Sequence, residues 1–491
     1  MAEMISRSKT MNGFALLVSG RIGNAFLSII STSILARLLS PDDFGVVSAA
    51  LLVVALANVI FDGAFGISLV KNSALTEADQ RTSLTVALLL SFVLVALVII
   101  FSPGIETFFR SNAVGDLLSI AALTIPFKAI FAVSSAMLQR TGRFGSIAAG
   151  TLVGQIIGNI AVAVPMALYG MGPWALIVGI MISGAVEAGY VAFKSRVSFC
   201  PQLEKAALRD LTASSLFSVA NVMNWVANAG ANALVGRFMG FHDLGIYSRG
   251  WKLLDLVVAI TATPLSRVLL PAFSSRRDEP VRLAQTLYQA LHLAVPAYAC
   301  LSALLVSQAP IIVYLALGPQ WGETTIVAQL FFAALVPRCA FKISETFAVA
   351  VGRSGAALVR QLIYATLMVA GAAIGLQYGV SGVALMTSCA VTLFYIMSLG
   401  FALKIGKLSP LAVLWIHLKA TVLAALVGWA DVSIVWLFSD GALFLSHLAG
   451  AACGVVVLVF LLSVAPTFWL GPAGEIYVPK IRRAFSKFKF A

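Results

Sequence analysis

The stretches ARLLSPDDFG, Ala36 to Gly45, and GRFMGFHDLG, Gly236 to Gly245, place an arginine, an aspartate and a final glycine at matching positions. Arg37 and Arg237, Asp43 and Asp243, and Gly45 and Gly245 are each 200 residues apart. Two further pairs follow in the same order. ALTIPFKAIFAVSSAMLQRTGR (Ala122 to Arg143) parallels ALVPRCAFKISETFAVAVGR (Ala334 to Arg353), and YGMGPWALIVG (Tyr169 to Gly179) parallels YGVSGVALMTS (Tyr378 to Ser388). The later offsets are about 210 residues, so short insertions separate two copies of one unit. Glycine and leucine are common in apolar helices, which makes each match weak alone; their shared order carries the reading.

Composition says what the repeated unit is made of. Of 491 residues, 60% are hydrophobic and 11% charged, with a mean hydropathy of +0.98. No soluble domain of this length could keep so much apolar surface from water. The apolar stretches mostly run 18 to 25 residues between short polar breaks, long enough to cross a hydrocarbon layer of roughly 30 Å as helices. Strand-length alternation is missing, which argues against an outer-membrane barrel.

The sequence therefore predicts an all-α polytopic membrane protein of about 14 transmembrane helices, the first at 13–38 and the last at 442–469. Each copy of the repeat holds six spans, an even number, so both enter the bilayer in the same sense and are related by an axis along its normal. The expected organisation is an N-terminal six-helix lobe over 1–205 and a second, pseudo-symmetric six-helix lobe over 206–405. Two additional helices over 406–470 and a basic tail over 471–491 complete it.

The net charge of +13 would suggest a nucleic-acid partner in a soluble protein, but here the basic residues follow the membrane. With the N-terminus inside, about 22 cations fall on the cytoplasmic side. About four, Arg37, Arg110, Arg237 and Arg249, fall outside. That bias puts both termini in the cytoplasm. The first apolar segment, Gly13 to Leu38, is too long for a signal peptide and is expected to remain as a span. In the tail, Phe485, Phe488 and Phe490 alternate with lysine and arginine, a pattern suited to lying on anionic membrane lipids.

Catalysis is not expected. The five cysteines have no C-x-x-C spacing, so neither a disulfide framework nor a metal site is suggested. The four histidines lie in different segments, there is no Walker A sequence, and no loop exceeds about 17 residues. No cofactor is called for.

The informative residues are the charges inside the spans. Arg21, Lys128, Arg267, Arg338 and Lys342 lie well within apolar stretches, where each costs about 2.5–3.5 kcal/mol if it faces lipid at mid-bilayer. In VPRCAFKISETF, Val336 to Phe347, the spacing of residues 338, 342 and 345 puts Arg338, Lys342 and Glu345 on one helix face. The acids of comparable depth are counted as Asp62, Glu187 and Glu345, three against five bases. Any one cation can be a structural partner of a carboxylate, and Lys342 with Glu345 is a candidate for such a pair. For the set, an anion from outside is the economical partner, and phosphate matches the planar fork of arginine. The five bases are thus candidate substrate-binding residues. Asp62, Glu187 and Glu345 are candidate ion-coupling carboxylates. Arg37 and Arg237, at equivalent external ends, are candidates to close an outer gate through Asp42, Asp43 or Asp243, or else to receive an anionic head as it leaves. Pro126, Pro264 and Pro337 mark places where helices bend.

The motifs ARLLSPDDFG, FDGAFGISLVKN (Phe61 to Asn72) and TPLSRVLLPAFSS (Thr263 to Ser275) together resemble the Wzx-type polysaccharide flippases. The resemblance is to the exopolysaccharide, colanic-acid and lipopolysaccharide branch of the multidrug/oligosaccharidyl-lipid/polysaccharide exporter superfamily, and it runs from about residue 10 to about 405. It implies movement of undecaprenyl-pyrophosphate-linked oligosaccharide across the bacterial inner membrane by alternating access. A polysaccharide polymerase and a chain-length regulator are the implied protein partners. It supplies no residue-by-residue site. Three other readings stay open: a proton- or sodium-coupled drug exporter, a lipid II flippase, and a non-transporting scaffold of a glycan-assembly complex. A drug exporter would need an acidic chamber, and a scaffold would leave the buried charges without a purpose.

Overall fold

The computed structural model describes residues 23–24, 26–61, 65, 69, 76–352, 355–438, 443–465 and 468–469. Among these, helices follow one another with short connections and no strand. They are α1 (Phe26–Leu38), α2 (Pro41–Phe61), α3 (Glu77–Phe109), α4 (Asn112–Ala122), α5 (Thr124–Arg140), α6 (Phe144–Leu168) and α7 (Pro173–Ser195). There follow α8 (Lys205–Phe238), α9 (Phe241–Ser274), α10 (Pro280–Ala316), α11 (Thr324–Ala333), α12 (Leu335–Ala350), α13 (Gly355–Gly375), α14 (Gly379–Gly406), α15 (Pro410–Leu437) and α16 (Leu443–Val464). Within the described residues, ten helices are long and apolar enough to span a bilayer, or eleven when α11 and α12 count as one bent span. This is a multi-pass membrane protein. The all-α expectation is met, and the described helices fall on the predicted spans; α8 stands apart by its polar content, with Asn221, Asn224, Asn228 and Asn232 along it.

Exposed apolar side chains such as Phe92, Ile100 and Phe101 on α3 and Trp429 and Trp436 on α15 are what a lipid-facing surface requires. Two packing units are distinguishable: Met1–Ser248 with Ala316–Trp321, and Arg249–Leu315 with Gly322–Ala491. They are defined by contact, whereas the boundary expected at 205 rests on internal similarity. In the first unit, the strap Ala316–Trp321 is pinned by two bonds to one acceptor. Gln320 Nε2 and Trp321 Nε1 donate to the Ala36 carbonyl at 2.5 and 2.8 Å, and the fully buried Trp321 ring meets Phe44 edge-on at 5.3 Å.

The span predicted at 323–350 is broken. Helices α11 and α12 meet at Ala334 with a bend of 43°, three residues before Pro337. In the first copy the helix is also interrupted, at Leu123, three residues before Pro126, but Asn112–Arg140 still runs as one span without a bend of that size. Proline has no N–H for the carbonyl four residues earlier, here Ala122 and Ala333, so both copies open the helical ladder at the same point.

Candidate functional site

Arg338 lies one turn into α12, just past this bend, and is buried at 8% exposure. Its guanidinium is held from three sides. Nη1 donates to the Tyr364 hydroxyl at 2.8 Å, Nη2 lies 3.5 Å from Asp255 Oδ1, and the plane sits 4.9 Å from the centroid of the Trp251 ring. Tyr364 is itself fixed against Phe394 at 4.7 Å, and Trp251 against Phe331 at 5.1 Å. Arg338 Nε is buried without a partner among the described residues. A guanidinium locked by two hydrogen-bonding groups and an aromatic face, with one donor left over, is a rigid anchor for a further acceptor.

One turn on, Lys342 is half-buried with its ammonium 6.0 Å from the Phe341 ring. No ion pair joins it to Glu345 among the described residues; Glu345 Oε1 accepts from Gln361 Nε2 at 3.2 Å. Arg360, on α13, is buried at 6% exposure over the Phe401 ring, and its Nε and Nη1 have no partner among the described residues.

The predicted face of α12 therefore exists, but its setting is wider than the sequence reading allowed. Asp255 was missing from the acid count. Arg249, counted among the external cations, lies beside Lys252 in this unit. In the second unit, Arg249, Lys252, Arg338, Lys342 and Arg360 are electrostatically linked through Asp255 and Glu345. Around Asp255 and Glu345 stand four bases, Lys252, Arg338, Lys342 and Arg360, so bases outnumber acids by two among these six residues. The missed signal was RGWKLLD: residues 249, 252 and 255 are spaced by three and share a face of α9 just as 338, 342 and 345 do on α12.

In the first unit, Lys128 Nζ lies 3.6 Å from Glu187 Oε2, and Glu187 Oε1 accepts from Thr151 Oγ1 at 2.6 Å. These two candidates, one assigned to substrate and one to ion coupling, thus hold α5, α6 and α7 together. Arg267 is exposed with no ion pair among the described residues. Arg21 and Asp62 lie outside the described residues. A further polar surface was not anticipated. Asn224, Asn228 and Asn232 follow at intervals of four on α8, Asn228 and Asn232 each bonding the carbonyl one turn back, and the side-chain oxygens of Asn228, Asn232 and Asn58 are buried without partners among the described residues. Unmet amide oxygens are acceptors for hydroxyl groups.

The candidate gate residues sit around a crossing of the first turns of α2 and α9, all within the first unit. A Cβ on Gly45 would stand 2.6 Å from the Phe241 carbonyl carbon, and one on Gly245 would stand 2.8 Å from that of Pro41. Ser48 Oγ and Ser248 Oγ are 3.1 Å apart, and His242 Nδ1 and Asp42 Oδ2 are 3.2 Å apart. Every contact joins a residue to its repeat counterpart, or to that counterpart's neighbour four places away. The two decapeptides quoted at the outset are folded against each other about a local two-fold axis. Asp43 caps its own helix, its Oδ2 accepting from Ser40 N at 2.9 Å and Ser40 Oγ at 2.8 Å. Arg237 donates to the Thr107 carbonyl at 3.2 Å and stacks on Phe108. Arg37 is exposed beside the Gly318 turn, and Asp243 is half-buried in the first turn of α9.

A family profile described as polysaccharide biosynthesis protein matches residues 34–326, more than half of the chain. The chain belongs to that family. The resemblance carried by ARLLSPDDFG and its companion motifs is borne out. As a member of the polysaccharide biosynthesis protein family, the chain is 25% identical over 278 residues to the succinoglycan biosynthesis transport protein ExoT of Rhizobium meliloti strain 1021, an alignment covering 55% of either protein. It is 21% identical over 336 residues to the lipopolysaccharide biosynthesis protein WzxC of Escherichia coli strain K12, covering 67% of either. The chain thus spans only about half the length of the Rhizobium relative. Among solved structures it is similar to the lipid II flippase MurJ in an inward closed conformation, with a TM-score of 0.75 at 17% identity over 92% of this chain and 98% of that one. An inward-facing multidrug resistance MATE family transporter follows with a TM-score of 0.63 at 15% identity, over 78% of this chain and 95% of that one. At such identities the structures speak to the fold alone.

Proposed function

We propose that the protein is a flippase that carries an undecaprenyl-pyrophosphate-linked oligosaccharide from the cytoplasmic to the external leaflet of the bacterial inner membrane, by alternating access. The observation that carries the proposal is the excess of bases over acids around Arg338 in the second unit, Lys252, Arg338, Lys342 and Arg360 against Asp255 and Glu345. A pyrophosphate headgroup loses its hydration on crossing hydrocarbon, a cost of many kcal/mol that a cationic lining offsets while the prenyl tail stays in lipid. With the termini in the cytoplasm, α9 descends from the external side and α12 runs down toward the internal side. The order Arg249, Lys252, Arg338, Lys342, Arg360 then forms a column along the bilayer normal, along which a phosphate can pass from base to base. The unmet amide oxygens of Asn58, Asn228 and Asn232 in the first unit supply acceptors for sugar hydroxyls.

A drug exporter of the same superfamily would need carboxylates in excess; the observed excess has the opposite sign. Membrane lipids and, downstream, a polysaccharide polymerase with its chain-length regulator are the partners this role implies. Deleting the chain from its host and analysing surface polysaccharide and lipid-linked intermediates tests the proposal. Loss of polymer with accumulation of undecaprenyl-linked repeat units facing the cytoplasm is expected. Normal polymer with altered drug resistance would overturn it.

A further inference from the structure

Helix α7 ends in a cationic groove that uses none of the residues around Arg338. Arg143, Lys194 and Arg196 line it, together with Gly189, Phe193 and Phe199, around a space of about 780 Å³. No carboxylate lines it, and none of the three bases has an ion pair among the described residues. Each base is held in place. Arg143, at the start of α6, donates Nη1 to the Lys194 carbonyl at 3.1 Å, which ties it to the end of α7 and leaves the rest of its fork for another acceptor. Lys194 Nζ stands 5.7 Å from the Tyr190 ring centroid and 5.8 Å from that of Phe193. Arg196 caps α7 with a left-handed backbone, φ 55° and ψ 36°. Glycine takes that conformation freely, whereas a residue with a Cβ takes it at a cost.

The other copy ends its counterpart helix in the same way. Helix α14 closes on Lys407, left-handed at φ 51° and ψ 35°, and carries Lys404 in its last turn as α7 carries Lys194. Lys407 likewise lines a groove, of about 680 Å³, with Val281, Gln285 and Tyr288. Among the described residues only Arg110, Arg196 and Lys407 are left-handed without being glycine, and all three are basic. A cation at a helix C-terminus gains from the helix dipole whatever its backbone does. The dipole therefore accounts for the charge at these caps but not for the conformation or the groove.

The rest of the α7 groove is apolar. Phe193 and Phe199 are 78% and 57% exposed, at the end of a 23-residue helix apolar enough to span a bilayer. Gly189, Phe193 and Arg196 follow at intervals of four and three on one face of α7, and a Cβ on Gly189 would meet nothing within 4 Å. The floor thus runs open from the bases along the apolar length of the helix. A positive groove edged by bare phenyl rings suits a molecule with an anionic head and a hydrocarbon body. We propose that Arg143, Lys194 and Arg196 bind the phosphate of an anionic membrane phospholipid, whose acyl chain lies along Phe193 and Gly189. On the expected topology the site faces the inner leaflet. It stands on the chain's place in a membrane and not on the proposed cargo.

A fluorophore on the exposed Cys200, next to Phe199, reports the site once Cys389 and Cys453 are changed to serine. The full chain is reconstituted in phosphatidylcholine vesicles with increasing fractions of brominated phosphatidylglycerol or of brominated phosphatidylcholine. Quenching should reach half its maximum at a fraction of phosphatidylglycerol at least about tenfold below that of phosphatidylcholine. Arg143→Gln and Arg196→Gly should each raise the phosphatidylglycerol value about fivefold, and Gly189→Leu, which fills the floor, should remove the preference. Arg196→Gly relieves the left-handed cap, so it should melt no lower than wild type, and it carries the test should Arg143→Gln fail to fold. Equal values for the two lipids, or a value unchanged in Arg196→Gly, overturns the site. Relief of quenching by inorganic phosphate at constant ionic strength would assign the bases to a soluble anion and overturn the lipid. Relief by undecaprenyl pyrophosphate at a far smaller fraction than by unbrominated phosphatidylglycerol would assign them to the cargo and overturn it equally.

Discussion

The crossing of α2 and α9 admits a direct perturbation. In Gly245→Ala the new methyl would overlap the Pro41 carbonyl oxygen and stand 2.8 Å from its carbon, so backbone must shift before ordinary contact is reached. What it meets is backbone at a helix start, which cannot rotate aside as a side chain would. Overpacking of this kind costs about 1–3 kcal/mol, and the cost falls only on the state in which the crossing is closed. At 1.4 kcal/mol per factor of ten, the closed state should lose about 5- to 150-fold in population relative to any state in which the helices part. Proximity of Ser48 and Ser248 reports closure, because hydroxyl oxygens 3.1 Å apart mark side chains placed to form a disulfide when both are replaced by cysteine. With the exposed Cys200 and Cys389 first changed to serine, a Ser48→Cys/Ser248→Cys protein should cross-link rapidly under mild oxidant. Adding Gly245→Ala should slow the reaction by at least several-fold, and Gly45→Ala should do the same. Equal rates in the glycine and alanine backgrounds would refute the reasoning.

Other outcomes follow from the charge cluster and the packing. Lys342→Gln should abolish export while leaving thermal unfolding of the purified protein nearly unchanged, because the ammonium holds no ion pair; wild-type export would remove it from the site. Arg338→Leu should remove the Tyr364 hydrogen bond and the contact with Asp255 from a buried site, visible as a lowered melting temperature, and Tyr364→Phe should reproduce only part of that loss. Lys128→Met and Glu187→Gln should be non-additive by about 0.5–3 kcal/mol in a double-mutant cycle of stability, as expected of residues in one network. Trp321→Ala, which empties a fully buried site and removes a bond to Ala36, should destabilise by about 3–5 kcal/mol.

The spans were legible because hydrocarbon tolerates little besides apolar helix, so hydropathy alone delimits them. The repeat was legible because its sharpest trace lies where the two copies touch. The bend at Ala334 was readable in Pro337, though its size was not, since neighbouring helices set how far an opened ladder folds. The charge cluster was half legible. The triad 338, 342 and 345 stood out inside an apolar run, whereas Arg249 and Arg360 lie close enough to span ends that counting assigned them to connections. Asp255 was lost with them, because a carboxylate's role depends on which base the fold brings to it, and Arg338 is far away in sequence. Lys128 and Glu187 could be suspected as partners but not paired, since their meeting depends on how α5 and α7 pack.

Consider finally what the paired glycines imply for descent. Each yields space to the first residue of the other copy's helix, so a drift at position 45 or 245 is felt at once by the opposite half. Two halves free to diverge elsewhere are bound to a common constraint at this seam, and ancestry is preserved there while it fades along the remaining helices. The ten-residue likeness between Ala36–Gly45 and Gly236–Gly245 is on this account less a relic of duplication than a mechanical fit that each half continues to enforce on its twin.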